Sequence, residues 1–503
     1  MRARRWLLGA LLASAAGIGA SAYWLGQHGG ASDPHAVERN EPLRGDGQPR
    51  PNVILILLDT TRTDHLGVYG HEPDSTPFLS ELAKESVVFD WAFSVSSWTA
   101  PATASVFTGQ YPWTHGIVDG FHWHQRQMEK AKAAGAPVMA INRLSLDQLT
   151  LAERFRSLGY STVGLASNIN VGPEIGFDRG FDRFIRARAE VLEGTAGALG
   201  ALVEQVDDRV RSSLGVSGLR RPIGSASDFR TQLEGWQQDL EDAEPYFIYL
   251  HLNDPHRPYV SRYPYVRPSR AVDDARQQRR EDLRAKYLSE IEYVDAQIER
   301  IVRTGLRDDD TVLVVVSDHG EEFGDHGGMG HARGLHSELN RILMMVHGPG
   351  LGIKPARIFD LNVSQIDILP TLLELAGADV PAGVEGRSLV PLLRPSEATE
   401  ALRDDLVRRV LFAHRRGGGE WLAAMDGPWK MIRTGGDRFQ LFDMDSDPSE
   451  SNDLSAVETE ITEEMRALFA PFDEASFWNS AGVSTFEAGE ALRDQLRALG
   501  YVE

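Results

Sequence analysis

Three stretches of this chain are apolar almost without interruption, and each leads into an acid or an imidazole. Asn52-Val-Ile-Leu-Ile-Leu-Leu-Asp59 sets six apolar residues before its acid. Thr311-Val-Leu-Val-Val-Val-Ser-Asp318-His319-Gly320 delivers an Asp–His pair, and Tyr246-Phe-Ile-Tyr-Leu-His-Leu-Asn-Asp-Pro-His256 ends on a histidine. A run without polar alternation suits a strand covered on both faces, as in a parallel sheet. Open α/β sheets bind ligands beyond the carboxyl ends of such strands. A single acid after a strand is commonly a helix cap; three strands ending this way point to a metal site.

Between these runs apolar positions recur at helical spacing. Thr76–Ala83 opens like a capped helix, and Leu149–Leu158 has helical spacing before Gly159-Tyr160 and the strand Ser161–Ala166. Glu281–Val302 carries Leu283, Tyr287, Ile291, Val294, Ile298 and Ile301 as one stripe. The alternation predicts an α/β fold with a doubly wound sheet flanked by helices over residues 51–398. Residues 186–240, which mix apolar and charged positions, read as a helical insertion shaping access. From residue 399 to 503 short segments separated by Gly and Asp predict a small C-terminal subdomain: an antiparallel meander and then terminal helices.

Composition narrows the partners. Lys and Arg total 52 against 73 Asp and Glu, a net charge of −21, which argues against nucleic acid and against adhesion to anionic lipid. Cysteine is absent, so disulfides, thiolate ligands and a lipidated N-terminal cysteine are excluded. Residues 1–26 place Arg2, Arg4 and Arg5 before an apolar stretch, as in a signal peptide or a single membrane anchor. Ala20-Ser21-Ala22 offers a cleavage site, and residues 27–50 read as a tether. Both forms place the rest outside the cytoplasm, periplasmic or secreted, with anchoring to the inner membrane as the uncleaved alternative. No protein partner is evident.

Ser96-Ser-Trp-Thr-Ala-Pro-Ala-Thr-Ala-Ser-Val-Phe-Thr-Gly109 presents Thr99 at a predicted helix start two residues before a proline. Free N–H groups there favour an alkoxide or an anionic ester, so Thr99 is a candidate nucleophile, although a threonine in this position taken alone is more often a plain N-cap. Loop histidines His122, His124 and His336 could line a pocket or simply be solvated. The arginine-rich run Arg262–Arg284 could meet an anion or form a solvated helix face.

Asp59, the Thr99-x-Pro101 turn with Thr108-Gly109 and His115-Gly116, Asp254-Pro255-His256, and Ser317-Asp-His-Gly-Glu321 through His331 together resemble the sulfatase family of the alkaline phosphatase superfamily. The resemblance spans about residues 51–454 and takes in Gly176–Asp182, Asp367–Thr371 and the Lys430 to Asn452 segment. It implies an alkaline-phosphatase-like mixed sheet and a divalent metal (Ca, Mg, Mn or Zn) held by Asp59, Thr99, Asp318 and His319. It leaves His256 and His331 to bind the ester group, protonate the leaving oxygen or hold a second metal. Asn168 is a candidate oxygen contact, or a turn residue.

The departures matter equally. Sulfatases convert Cys or Ser to formylglycine in Cys/Ser-x-Pro-x-Arg, whereas this chain has Thr99, Pro101 and Thr103. Threonine would yield a ketone. The Gly-Lys-x-His motif is replaced by Ala166-Ser-Asn-Ile169, without cations. The resemblance therefore implies an exported metal-dependent hydrolase or phosphotransferase acting on an anionic phosphate mono- or diester. A sulfatase without formylglycine and an inactive binding protein are the alternatives.

Overall fold

In a computed structural model of the chain the three apolar runs lie side by side; it describes residues 50–120, 140–186, 225–241, 245–303, 309–396, 400–416, 420–436, 438–474 and 484–487. In chain order the strands are β1 (Asn52–Leu58), β2 (Val87–Phe93), β3 (Ala140–Arg143), β4 (Ser161–Ala166), β5 (Arg183–Arg186), β6 (Tyr246–Leu252), β7 (Thr311–Ser317), β8 (Met344–His347) and β9 (Ala356–Ser364). They continue with β10 (Leu411–Arg415), β11 (Trp421–Asp426), β12 (Trp429–Thr434), β13 (Phe439–Asp443) and β14 (Ser484–Glu487). The main sheet has the order β5-β4-β6-β1-β7-β8-β2-β9. It is mixed: β7 and β8, and β8 and β2, pair antiparallel, while its other pairs are parallel.

β1 sits at the centre and shows why its sequence has no polar alternation. Val53, Leu55 and Leu57 enter one core, with the helices Thr99–Thr108, Leu151–Ser157 and Ile368–Leu375. Ile54, Ile56 and Leu58 enter the other, with the helices Pro77–Ala83, Ala226–Glu241 and Ala275–Val302. Each face of the pleat is covered by helices, the doubly wound arrangement expected. Strands β10 to β13 form the antiparallel meander in sequence order, as predicted from their Gly and Asp punctuation. β3 pairs with β14 in a separate two-stranded ribbon.

Two local expectations change. The helix Pro77–Ala83 is not capped by Thr76, whose hydroxyl accepts from Gly67 N–H instead. Its first N–H groups are bound by Asp295 from the helix Ala275–Val302, at 3.0 Å from Phe78 N and 2.9 Å from Leu79 N. The arginine-rich run is divided: Arg270, Arg276 and Arg279 are exposed, as on a solvated face, whereas three others are partly buried and paired. Arg262 meets Glu290, Asp254 and the Tyr293 ring, Arg267 meets Glu292, and Arg284 meets Asp325.

The signal or anchor over 1–26, nearly all of the tether, His122, His124, the middle of the insertion and the helices expected at the extreme C-terminus lie outside the described residues. Among the described residues no helix is long and apolar enough to cross a membrane.

Candidate active site

The parallel register brings the charged strand ends together. β1 lies between β6 and β7, with Leu57 opposite His251 and Leu58 opposite Ser317. One residue beyond β1, Asp59 N–H donates to Leu252 O at 2.9 Å, and Asp318 N–H donates to Leu58 O at 3.2 Å. The helix Thr99–Thr108 follows β2 and has Trp98, in extended conformation, at its N-cap. Thr99 is therefore its first residue, wholly buried, with its hydroxyl 3.4 Å from His319 Nε2. The close backbone approach after His319 needs Gly320, since a Cβ there would lie 2.0 Å from Glu338 O.

Asp59, Asp318 and His319 offer ligand atoms that all lie within 4.8 Å of one another, and all three are buried. Their hydrogen bonds leave one side of each carboxylate open. Asp59 Oδ2 accepts from His251 Nε2 at 2.9 Å and from Asn168 Nδ2 at 2.5 Å, whereas Oδ1 is buried without a partner. Asp318 Oδ1 accepts from Thr60 N–H at 3.0 Å and His319 N–H at 2.7 Å, whereas Oδ2 has no hydrogen bond. His319 Nδ1 lies 2.9 Å from Gly320 O, which can only accept, so this nitrogen carries the proton. The lone pair on Nε2 then faces Asp318 Oδ2 at 3.5 Å. Two carboxylate oxygens, a neutral imidazole nitrogen and a hydroxyl converge with no positive charge between them. Such a set fits a divalent cation, without which it would be expensive to bury.

The electrostatics agree. Burial and the neighbouring Asp59 push the Asp318 carboxyl well above the usual range. Burial opposes ionisation of Asp59 too, but His256, His251 and His319 hold it below its ordinary value. Burial also lowers the His319 pKa, keeping the ring neutral.

His256 and His331 complete the opposite wall. Their ring centroids are 4.9 Å apart, and His331 is 4.8 Å from His319. His256 Nδ1 donates to Arg257 O at 2.7 Å, and His331 Nδ1 lies 3.2 Å from Glu321 Oε1. Burial opposes the Glu321 charge, but His331 and its hydrogen bond hold the pKa below the usual carboxylate value. Each ring thus keeps Nε2 available. Neither belongs to a further metal-holding group among the described residues. The other such group there is His326, His336 and Glu450. Its imidazoles stack face to face at 3.7 Å, so their in-plane lone pairs do not converge, and Glu450 is taken by Ser337 and Lys430. His336 therefore belongs to the seam with the C-terminal sheet, beside Trp421 and Phe442, and not to the pocket.

Asn168 is at the site, but not as a free oxygen contact. Its amide nitrogen donates to Asp59 and to Asn253, which uses both of its hydrogens. Asp254 accepts from Ala226 N–H and Arg262, so it ties the insertion helix to the loop carrying His256. The reading of the sequence missed His251 and Glu321. His251 relays Tyr249 OH, 3.0 Å from Nδ1, to Asp59, which orients the carboxylate. A histidine inside a buried apolar strand, on the same face as Tyr249, was the available signal.

A sequence model of the family described as Sulfatase matches residues 51–378, and one described as N-sulphoglucosamine sulphohydrolase, C-terminal, matches residues 324–472. An arylsulfatase of Clostridium perfringens is 25% identical over 471 residues, covering 80% of this chain and 90% of its own. Among solved structures, a 2-O GAG sulfatase superposes with a TM-score of 0.63 at 20% identity, over 86% of this chain and 95% of that one. A phosphonate monoester hydrolase of Agrobacterium radiobacter superposes with a TM-score of 0.60 at 21% identity, over 84% and 96%. With the family model matched across the whole sheet and every strand end that builds the site, this chain belongs to the sulfatase family of the alkaline phosphatase superfamily.

Proposed function

We propose that this hydrolase uses unmodified Thr99 as its nucleophile and prefers phosphoesters, mono- or di-, to sulfate esters. The observation that carries this reading is the hydroxyl of Thr99 at a buried helix N-terminus, beside an electron-rich Asp59–Asp318–His319 cluster. A divalent metal held by Asp59, Asp318, His319 and Thr99 would supply the positive charge that lowers the hydroxyl pKa and offsets the charge of the ester.

The chain's own groups do the rest. Thr99 Oγ1, having given its proton to solvent, attacks phosphorus in line as the alkoxide, the bond to the leaving oxygen breaks, and a phosphothreonine forms. His331, whose Nδ1–H is fixed by Glu321, protonates the leaving oxygen through Nε2, with His256 alongside on the same wall. Water or an acceptor alcohol then attacks phosphorus, surrenders its proton to that nitrogen and releases Thr99. His251 and Asn168 keep Asp59 aligned throughout.

Phosphorus is favoured because threonine cannot become an aldehyde and because Thr103, Ser167 and Ile169 stand where a sulfatase carries its modification-supporting arginine and its sulfate-binding cations. The fold accommodates hydrolysis at phosphorus, as the phosphonate monoester hydrolase illustrates. The competing reading, sulfate-ester hydrolysis, draws on the arylsulfatase and its kin. Matched phosphate mono-, di- and sulfate esters of one alcohol separate the two. The proposal expects the higher kcat/KM on a phosphoester, and faster sulfate-ester cleavage would replace it. We also propose that residues 1–26 direct export and that residues 51–398 and 399–503 form the catalytic part and its C-terminal subdomain.

A further inference from the structure

Among the described residues three that are not glycine adopt left-handed backbone: Thr60 at φ 51°, Ala332 at φ 58° and Glu450 at φ 55°. Two of them directly follow site residues, Asp59 and His331. Backbone of this kind is retained where surrounding contacts over-determine it. At Ala332 those contacts are explicit. Its N–H, part of the peptide joining it to His331, donates to Ser97 O at 2.9 Å, two residues before Thr99. Its C=O accepts from Arg415 Nε at 2.8 Å. Arg415 is buried at the end of β10, whose neighbouring residue His414 in turn donates its N–H to Val95 O at 2.7 Å.

We propose that Arg415 is a positioning residue for His331, acting across the seam between the C-terminal sheet and the catalytic sheet. The two hydrogen bonds fix the peptide planes on either side of Ala332, and so the direction in which His331 leaves the chain. His331 needs that direction to sit between His256, His319 and Glu321. Without Arg415 the plane after Ala332 is untied. The left-handed region disfavours a non-glycine residue by roughly 5- to 30-fold, the population ratio for about 1–2 kcal/mol, so Ala332 relaxes and carries His331 away. A glycine at 332 has no such bias. The clamp rests on the proposed role of His331 only for the step it affects.

The test compares R415M, A332G and the R415M/A332G double variant in the full chain, on whichever ester the wild type cleaves. R415M should lose roughly 5- to 30-fold in kcat with little change in KM, A332G should stay within about twofold of wild type, and the double variant should recover to within about threefold. A residue needed only for stability would show no rescue by a glycine that restores none of its hydrogen bonds. R415K, which retains a donor, should show the same ordering with a smaller loss, and serves if R415M does not fold. A crystal structure of the Arg415 variant should show Ala332 out of the left-handed region and His331 displaced. An unimpaired R415M, a double variant as slow as R415M, or an Ala332 still near +58° would each overturn the proposal. Turnover of sulfate instead of phosphate esters would overturn the substrate reading while leaving this comparison intact.

Discussion

Asp59 and Asp318 each present one bonded and one bare oxygen, and that of Asp318 faces the lone pair of His319 Nε2. Asp318→Asn should remove most bound divalent metal, because an amide supplies less charge while the fold around Thr60 N–H and His319 N–H can still close on its oxygen; metal analysis of purified, folded protein reads this directly. His251→Ala should act more mildly. It leaves the ligands in place but releases Asp59 from the Tyr249 relay, and equilibrium dialysis should find metal affinity about 10- to 100-fold weaker. An unchanged affinity would make that relay merely structural. These roles were unevenly legible in the sequence. Asp59, Asp318 and His319 terminate apolar strands, and strand ends are positions that a sequence displays. Asn168 also lies at a strand end, but which way its amide is committed depends on Asp59 and Asn253, from two other strands.

The C-terminal meander is fastened to the main sheet by buried charge. Lys430 on β12 has no exposed surface, pairs with Glu450 at 2.6 Å and donates to Asn340 Oδ1 at 2.8 Å. Lys430→Met leaves Glu450 buried and uncompensated, so chemical denaturation should show a loss of about 3–5 kcal/mol, with part of it recovered by adding Glu450→Gln. Beside this pair His326 lies between Glu338 and the backbone of Glu450, with neutral His336 stacked on it and Lys430 nearby. Desolvation works against its charge, but the hydrogen bond and charge of Glu338 outweigh that and raise its pKa from 6.5 to about 9. A raised pKa means that the folded state holds the proton more tightly. Its stabilising contribution is full below about pH 6.5 and declines as pH climbs through 9. His326→Gln should flatten that decline in thermal melts recorded between these limits; an unaltered slope would exclude His326 as its source. The Gly and Asp punctuation between short segments revealed every strand of the meander. It could not reveal the seam, since Lys430, Ser337 and Glu450 meet only after the two sheets dock. The same holds for Asp295, which caps a helix from 216 residues away.

At the scale of the molecule, a net charge of −21 opposes approach of any anionic ester, so the local convergence of metal site, helix N-terminus and imidazoles must supply the attraction. Turnover of a singly charged substrate should therefore rise with ionic strength at subsaturating concentration, through kcat/KM more than kcat, and a fall would indicate a cationic approach surface instead. Residues 1–22 should be absent from mature protein beginning near Tyr23, or the uncleaved segment should hold the protein in membranes through a carbonate wash; full-length protein recovered free in the cytoplasm would contradict both. The central claim concerns Thr99, and a rapid-quench experiment on a phosphoester addresses it most directly. Mass spectrometry of the peptide containing Thr99 should find a phosphothreonine that forms and decays at rates compatible with turnover, while Thr99→Ala shows neither the adduct nor more than about one hundredth of wild-type kcat, a loss of roughly 3 kcal/mol. A Thr99→Ala variant that turns over at the wild-type rate would contradict the account.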